Sequence, residues 1–129
     1  MNYLYIKFTL LLFSICFFTN FLSAQITMPK SGSVSQTVVG GERFYDSGGA
    51  FSEYGDWENS TITLTSEPGT RIRVKFTDFE IEDRYRRNRN QPWEYYDYLD
   101  VSDASGSLGR FYGTTSPGTI ISSGNTFFF

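Results

Sequence analysis

The sequence predicts an all-β protein, an antiparallel β-sandwich, and three observations support this prediction. Short runs alternate apolar and polar residues with the period of two that is typical of strands. Clusters of Gly, Ser, Pro and Asn separate these runs at close intervals. No segment after the N-terminal apolar run has helical periodicity over three turns. A chain of this kind buries one face of each strand between two stacked sheets.

The N-terminal segment has the organisation of a secretory signal peptide. Lys7 precedes an apolar run at residues 8–18, which is shorter than the roughly 18 to 20 apolar residues that a spanning helix needs. The small residues Ser23 and Ala24 follow, so we expect cleavage after Ala24 and a mature chain that begins at Gln25. An uncleaved signal anchor is the alternative. The mature chain has no predicted transmembrane segment, and we expect it to be secreted or held at the cell surface.

Composition excludes several classes of function. The chain has no histidine, and its single cysteine is Cys16 in the apolar run, which excludes histidine-based triads, zinc-protease motifs and thiol catalysis. Fourteen acidic against 11 basic residues give a net charge of -3, which argues against general nucleic-acid binding. We therefore expect residues 25–129 to form one noncatalytic domain without a disulfide.

The first clear strands of the mature chain predict a hairpin. Residues 61–65 alternate hydroxyl and apolar side chains, residues 71–76 alternate basic and apolar ones, and Pro68 and Gly69 lie between them. Two such runs joined by a short turn are typical of a β-hairpin. The side chains expected in the core are Ile62, Leu64, Ile72, Val74 and Phe76.

The pattern continues to the end of the chain, and one of its later runs contains a buried charge. Further strands are predicted at residues 79–82, 96–101, 110–112, 119–121 and 126–129. In the second of these, alternation places Asp97 at the head of an inward row that continues with Leu99 and Val101. A carboxylate there needs a hydroxyl, a cation or backbone donors as its partner, because an unpaired buried charge is costly.

The last strand is the most apolar one, and it consists of Phe127, Phe128 and Phe129. An apolar strand at the edge of a sheet invites pairing with other chains. We therefore expect the domain to be incomplete at its C-terminus, with the last strand or strands missing. A terminal strand that is tucked into the core is the alternative.

Several segments together resemble a CUB domain, an extracellular β-sandwich module. The matching segments follow the order of the family: FYDSGG at 44–49, Tyr54 with Asn59, PGTRIRVKFTDFEIE at 68–82, YDYLDV at 96–101, LGRFYG at 108–113, Pro117-Gly118, and SSGN at 122–125. The cysteine-free form and the FYDSGG opening are most similar to the CUB domains of secreted Bacteroidetes proteins. The resemblance implies a jelly-roll sandwich and a role in binding.

The resemblance also implies a calcium site. Many CUB domains bind calcium through a Glu, the Asp of a Tyr-Asp-Tyr motif and a later Asp, with support from a Tyr. By position, Glu82 and Asp97 match the first two ligands and Tyr54 matches the supporting residue, whereas the third acid would lie beyond the last residue. Two carboxylates make a weak site for Ca²⁺. Strand-end acids paired with arginines are the alternative, and Asp100 and Asp103 are expected to be solvated.

The sequence departs from the family between the two acids, where residues 83–94 make a longer connection. Arginine offers bidentate donors and tryptophan a stacking face, so this loop is a candidate surface for a carboxylate, a sulfate or a sugar ring. In the alternative, the arginines only neutralise nearby acids in a solvated loop. The candidate binding residues are Arg84, Arg86, Arg87, Arg89 and Trp93.

These observations predict a noncatalytic binding module of a secreted or surface protein, which recognises a protein or a glycan with calcium as a candidate cofactor. The alternative is a structural accessory domain of a larger secreted hydrolase or peptidase whose catalytic part lies outside this sequence.

Overall fold

The computed structural model describes residues 24–82, 84–85, 90, 94–95 and 97–129. All regular secondary structure in these residues is β, which confirms the predicted class. None of the described residues belongs to a helix with the length and apolar character needed to cross a membrane. The strands are β1 (Gln25–Thr27), β2 (Ser31–Thr37), β3 (Arg43–Tyr45), β4 (Asn59–Thr65), β5 (Arg73–Lys75), β6 (Arg84–Tyr85), β7 (Glu94–Tyr95), β8 (Leu99–Asp103), β9 (Gly106–Phe111), β10 (Thr119–Ile121) and β11 (Thr126–Phe128).

One layer of the sandwich is a five-stranded sheet with the order β2-β4-β11-β8-β9. Strand β11 is its central strand and runs antiparallel to β4 and β8, and β8 and β9 form an antiparallel hairpin. Alternation along β4 buries Ile62 and Leu64 while Thr61 stays exposed. The apolar face of this sheet therefore points into the core.

Two smaller sheets lie over that apolar face. Strand β1 pairs with β3 in parallel, and β5 pairs with β10 antiparallel. Ile26 of β1 and Ile72, which directly precedes β5, belong to the same buried cluster as Leu64 and Val101 of the large sheet. The shared cluster places the small sheets opposite the large one, which confirms the β-sandwich. Strands β6 and β7 form a separate antiparallel ribbon.

The predicted hairpin between residues 61–65 and 71–76 is wrong. Among the described residues, strand β4 pairs with β2 and β11 and strand β5 pairs with β10, so the connection between them crosses from one sheet to another. A period of two tells which side chains share a face but not which strand is the neighbour. The core assignment holds, because Ile62, Leu64 and Ile72 are buried and the other two predicted side chains pack against them.

Three further differences concern strand position and direction. Residues 79–82 lie outside any strand, although the Ile81 N–H donates to the Gly113 carbonyl over 3.0 Å. Strand β8 begins at Leu99, so Asp97 precedes it. The β1–β3 and β2–β4 pairs are parallel within a sandwich whose other described strand pairs are antiparallel, as predicted. Alternation is the same in parallel and antiparallel strands, so the sequence pattern does not distinguish them.

The apolar end of the chain lies inside the sandwich. Phe127 and Phe129 are 0% and 6% exposed, whereas Phe128 between them is 40% exposed. The Phe129 ring lies 5.3 Å from that of Phe127 and 5.1 Å from that of Phe44, measured between centroids. The Phe44 contact joins the large sheet to β3 across the core.

Asp103 is buried rather than solvated, which corrects the expectation. Its carboxylate accepts hydrogen bonds from the Ser105 N–H at 2.7 Å, the Ser105 hydroxyl at 2.6 Å and the Ser123 N–H at 2.6 Å. It continues the inward row of β8 by one more alternation after Val101. The bond from the Ser105 hydroxyl, followed by that from the Ser123 N–H, holds the pKa of this carboxyl well below its usual range.

We predict that Phe127→Ala lowers the free energy of unfolding by about 3–5 kcal/mol, because it leaves a cavity in the core. Phe128→Ala is the matched control on the same strand, and its exposed ring makes the loss much smaller. Urea unfolding of both variants measures the difference. Equal losses for the two variants would show that β11 does not present its faces as described.

We also predict that the stabilising effect of Asp103 fades in acid. A lowered pKa in the folded state gives a contribution that is present above the unfolded value of about 3.9 and lost as the pH falls below it. The difference in unfolding free energy between the protein and Asp103→Asn should therefore shrink as the pH falls below about 4. Asp56→Asn is the control, because exposed Asp56 accepts none of the hydrogen bonds found among the described residues. A difference independent of pH would contradict the prediction.

Candidate functional site

A tyrosine hydroxyl brings together the two acids that the sequence singled out. Tyr54 lies in the loop between β3 and β4, residues 46–58, which we call the β3–β4 loop. Its hydroxyl donates to Oδ2 of Asp97 over 3.0 Å and accepts a hydrogen bond from the Glu82 N–H at 2.9 Å. Three segments far apart in sequence therefore meet at one oxygen atom. We call Tyr54, Glu82 and Asp97 the Tyr54 site.

The electrostatics of the site keep the phenol of Tyr54 protonated. Burial raises the pKa of Tyr54 to about 12, opposed by the hydrogen bond from the Glu82 backbone and reinforced by the hydrogen bond and negative charge of Asp97. The charge of Glu82 acts in the same direction. At neutral pH the hydroxyl therefore remains a donor to Asp97, and this bond supplies the partner that a half-buried carboxylate requires.

The two carboxylates retain free capacity to accept ligands. Glu82 is exposed, and only its backbone contacts Tyr54. Within the part of the chain that the structure describes, Asp97 has no partner besides Tyr54, and the Glu82 carboxylate has none. Carboxylate oxygens are the hard donors that Ca²⁺ prefers. No group of three or more Asp, Glu, His or Cys side chains placed to hold a metal occurs in the described ranges.

The carboxylate of Glu58 stabilises the β3–β4 loop, which contains Tyr54. The sequence analysis did not identify this residue. Glu58 accepts a hydrogen bond from the Ser47 hydroxyl and another from the Gly55 N–H at 3.1 Å. Gly48 is required where the loop folds back, because a Cβ there would lie 2.3 Å from the carbonyl oxygen of Glu53. The Asp-Ser-Gly-Gly motif was the available signal for this turn.

Two aromatic side chains of the same loop point into solvent, and they too were missed. Phe51 is 99% exposed and Trp57 is 100% exposed. Trp57 has a positive φ of 62°, which is uncommon for a bulky residue and costs conformational energy. Large exposed aromatic side chains are enriched at recognition surfaces.

Most of the other candidate residues are described only in part or not at all. Arg86, Arg87, Arg89 and Trp93 fall outside the described residues, and Arg84 is described only as part of the backbone of β6. Asp100 is exposed, as expected, and forms a bidentate pair with Arg110 at 2.6 and 2.7 Å. Pairing of an acid with an arginine thus occurs between β8 and β9.

Comparisons with known proteins identify the family of this chain. A family model for the CUB domain matches residues 45–129, a range that contains the whole Tyr54 site. Over 80 residues, the chain is 29% identical to Tolloid-like protein 2 of Mus musculus. The matched region covers 59% of this chain and 7% of that protein. The chain thus matches only a small part of the length of that relative. Because the family match extends over more than half of the sequence, this chain belongs to the CUB domain family.

Proposed function

We propose that this CUB domain is an extracellular recognition module whose contact surface is the Tyr54 site and the exposed part of the β3–β4 loop, with calcium as its cofactor. CUB domains are in general extracellular binding modules. The observation that carries the proposal is the pair of hydrogen bonds at the Tyr54 hydroxyl, which donates to Asp97 and accepts from the Glu82 N–H. Secretion after cleavage behind Ala24 is part of the same proposal.

The donor set fits a weak site for a hard divalent cation. Glu82 and Asp97 would hold the ion, and Tyr54 would position Asp97 by donating to its Oδ2. Bound calcium would supply positive charge and coordination positions for oxygen atoms of a partner. With only two acids, the affinity should fall in the weak range of extracellular modules, about 10⁻⁴ to 10⁻³ M.

The exposed aromatic side chains of the loop extend this surface. Phe51 and Trp57 are connected to Tyr54 through a loop that the Glu58 carboxylate stiffens. Aromatic rings provide a large contact area on a protein partner and a stacking face for a sugar ring. A protein or a glycan that presents carboxylates or hydroxyls is the expected partner.

A second candidate function rests on the comparison with a much longer protein. The match to 7% of Tolloid-like protein 2 shows that a domain of this kind occurs as a small part of a larger chain. The domain would then serve as a structural accessory unit of a secreted hydrolase or peptidase, without a ligand of its own at the Tyr54 site.

We predict that calorimetric titration detects Ca²⁺ binding in the millimolar range or somewhat tighter. Glu82→Gln and Asp97→Asn should each weaken it by about tenfold or more, because each removes one of only two charged ligands. Glu67→Gln is the matched control, since this exposed acid lies in the turn after β4, outside the Tyr54 site. Absence of binding at millimolar Ca²⁺, or binding that survives both substitutions, would contradict the assignment.

We predict that Tyr54→Phe removes a step near pH 12 from the phenolate titration of the protein. Because the folded-state pKa is raised to about 12, the stabilising effect of Tyr54 is fully present below the unfolded value of about 10 and is lost as the pH rises through about 12. Ultraviolet absorbance follows the titration. Tyr98→Phe, which removes an exposed phenol, should leave this step in place. Persistence of this step in Tyr54→Phe would refute the described environment of the hydroxyl.

A further inference from the structure

The first residue of the mature chain lies directly next to a residue of the core. Cleavage behind Ala24, on which this inference rests, is part of the proposed function and makes Gln25 the first residue. Ile26 follows it, is 2% exposed and belongs to the core cluster. The pairing of β1 with β3 holds Ile26 in place, and the Met28 N–H extends this pairing by donating to the Tyr45 carbonyl over 3.0 Å. Only one residue therefore separates the proposed terminus from the core.

Removal of Gln25 would weaken this end of the core. A terminus at Ile26 would place an α-ammonium group on the backbone of a buried residue, and a charge close to the interior is costly. The removal would also shorten β1, which pairs with β3 over three residues. Residues 25–129 contain no cysteine, so no disulfide compensates for such a loss. The integrity of the first residue thus matters for the stability of the domain.

Gln25 itself is exposed, and its side chain is held only weakly. The side-chain Nε2 donates to the Thr27 hydroxyl over 3.4 Å, which is long for a hydrogen bond. Its neighbour in the β3–β4 loop is Gly49, where a Cβ would lie 3.4 Å from Nε2. Because the residue stays exposed despite these contacts, its amide is accessible to the terminal amine and to a processing enzyme.

A glutamine with a free α-amine has a reaction of its own. The α-amino nitrogen attacks the side-chain carbonyl carbon Cδ, so a bond forms between these two atoms and the bond between Cδ and Nε2 breaks. Nε2 takes one proton from the α-amine and leaves as ammonia. The product is a five-membered lactam, pyroglutamate, and no oxidant, reductant or further reactant is consumed. Asparagine does not react in this way, because it would have to form a strained four-membered ring.

The charges around Gln25 favour a neutral terminus. The β1–β3 register places Gln25 beside Arg43, which is exposed and forms no ion pair within the described ranges. Glu42, the acid next to Arg43, accepts hydrogen bonds from the N–H groups of Val39 and Gly40 at 2.7 Å. An open terminus carries an α-ammonium group at neutral pH and would add a second positive charge beside this arginine. Cyclisation removes that charge.

Cleavage also removes a hydrogen-bond acceptor that the lactam replaces. The Arg43 N–H donates to the Ala24 carbonyl over 3.1 Å, and this carbonyl leaves with the signal peptide. In pyroglutamate, the ring carbonyl is bonded to the same nitrogen of residue 25 to which the Ala24 carbonyl was bonded. The lactam therefore returns a carbonyl oxygen to this end of β1, whereas an open amine has none to offer.

We propose that Gln25 is a modification site, at which the mature chain cyclises to a neutral pyroglutamyl terminus that protects the buried Ile26 from aminopeptidases. Aminopeptidases recognise a free α-amine, and the lactam nitrogen is an amide. The exposed Gln25 is thus the part of β1 that is modified, and the buried Ile26 is the part that is preserved.

The test uses the full chain, exported with its own N-terminal segment, and the purified folded protein is incubated with a glutaminyl cyclase. Intact-mass spectrometry shows at which residue the chain begins and whether ammonia has been lost. N-terminal sequencing shows whether the α-amine is blocked, before and after treatment with a pyroglutamyl peptidase. We expect a chain that begins at residue 25, is lighter by one ammonia and is blocked until that treatment.

Gln25→Asn is the matched control, because it keeps an exposed amide at the terminus but does not form the lactam. Its terminus should stay open, and treatment with an aminopeptidase should lower its midpoint of urea unfolding. The cyclised protein should keep its midpoint under the same treatment. Removal of the lactam by pyroglutamyl peptidase should lower the midpoint of the unsubstituted protein, which tests the role of the terminus beside Ile26 without any substitution.

Three results would overturn the proposal. A mature chain that begins at Gln25 and still has an open amine after incubation with the cyclase would refute the modification and leave the proposed secretion intact. A mature chain that begins at another residue would refute both the modification and the cleavage behind Ala24. An unchanged unfolding midpoint after removal of residue 25 would show that the terminus does not protect the core.

Discussion

Burial of the phenylalanines of the last strand is the interaction on which the sandwich depends most. No disulfide supports the domain, since the single cysteine of the chain is Cys16. Full burial of one large apolar side chain contributes about 1.5–3 kcal/mol, a large part of the marginal stability of a small domain. Phe127 is fully buried in the central strand, and Phe129 exchanges two backbone hydrogen bonds with Ile62 while its ring contacts Phe44 of β3. The same few residues thus connect neighbouring strands and opposite layers.

The core fixes both ends of the β3–β4 loop, which contains Tyr54. The β3–β4 loop begins and ends on strands that contribute to the core, through Phe44 and Ile62. Between these fixed ends, the Glu58 carboxylate binds two points of the loop. The position of Tyr54 is therefore fixed by the loop, and its hydroxyl fixes Asp97 by donating a hydrogen bond to it. A pre-positioned ligand atom reduces the entropy that binding must overcome.

The sequence predicted the class of the fold and its buried face better than its connections. Alternation found the inward residues of β4, such as Ile62, because the period of two depends only on which face is buried. It failed for the partners of β4, which are β2 and β11 and not β5, because long-range packing decides which strands are neighbours. No sequence pattern indicated strand β2, because all seven of its residues are exposed and apolar residues do not alternate with polar ones along it.

The sequence indicated the residues of the candidate site but not the hydrogen bonds that connect them. The resemblance to the CUB family pointed to Tyr54, Glu82 and Asp97, and the need of Asp97 for a hydroxyl or cation followed from its place at the head of an apolar row. The Tyr54 hydroxyl contacts the backbone of Glu82 rather than its carboxylate. This contact depends on the path of residues 79–82, which lie outside any strand. Asp103 shows the same limit, because the Ser123 N–H that satisfies it lies twenty residues away.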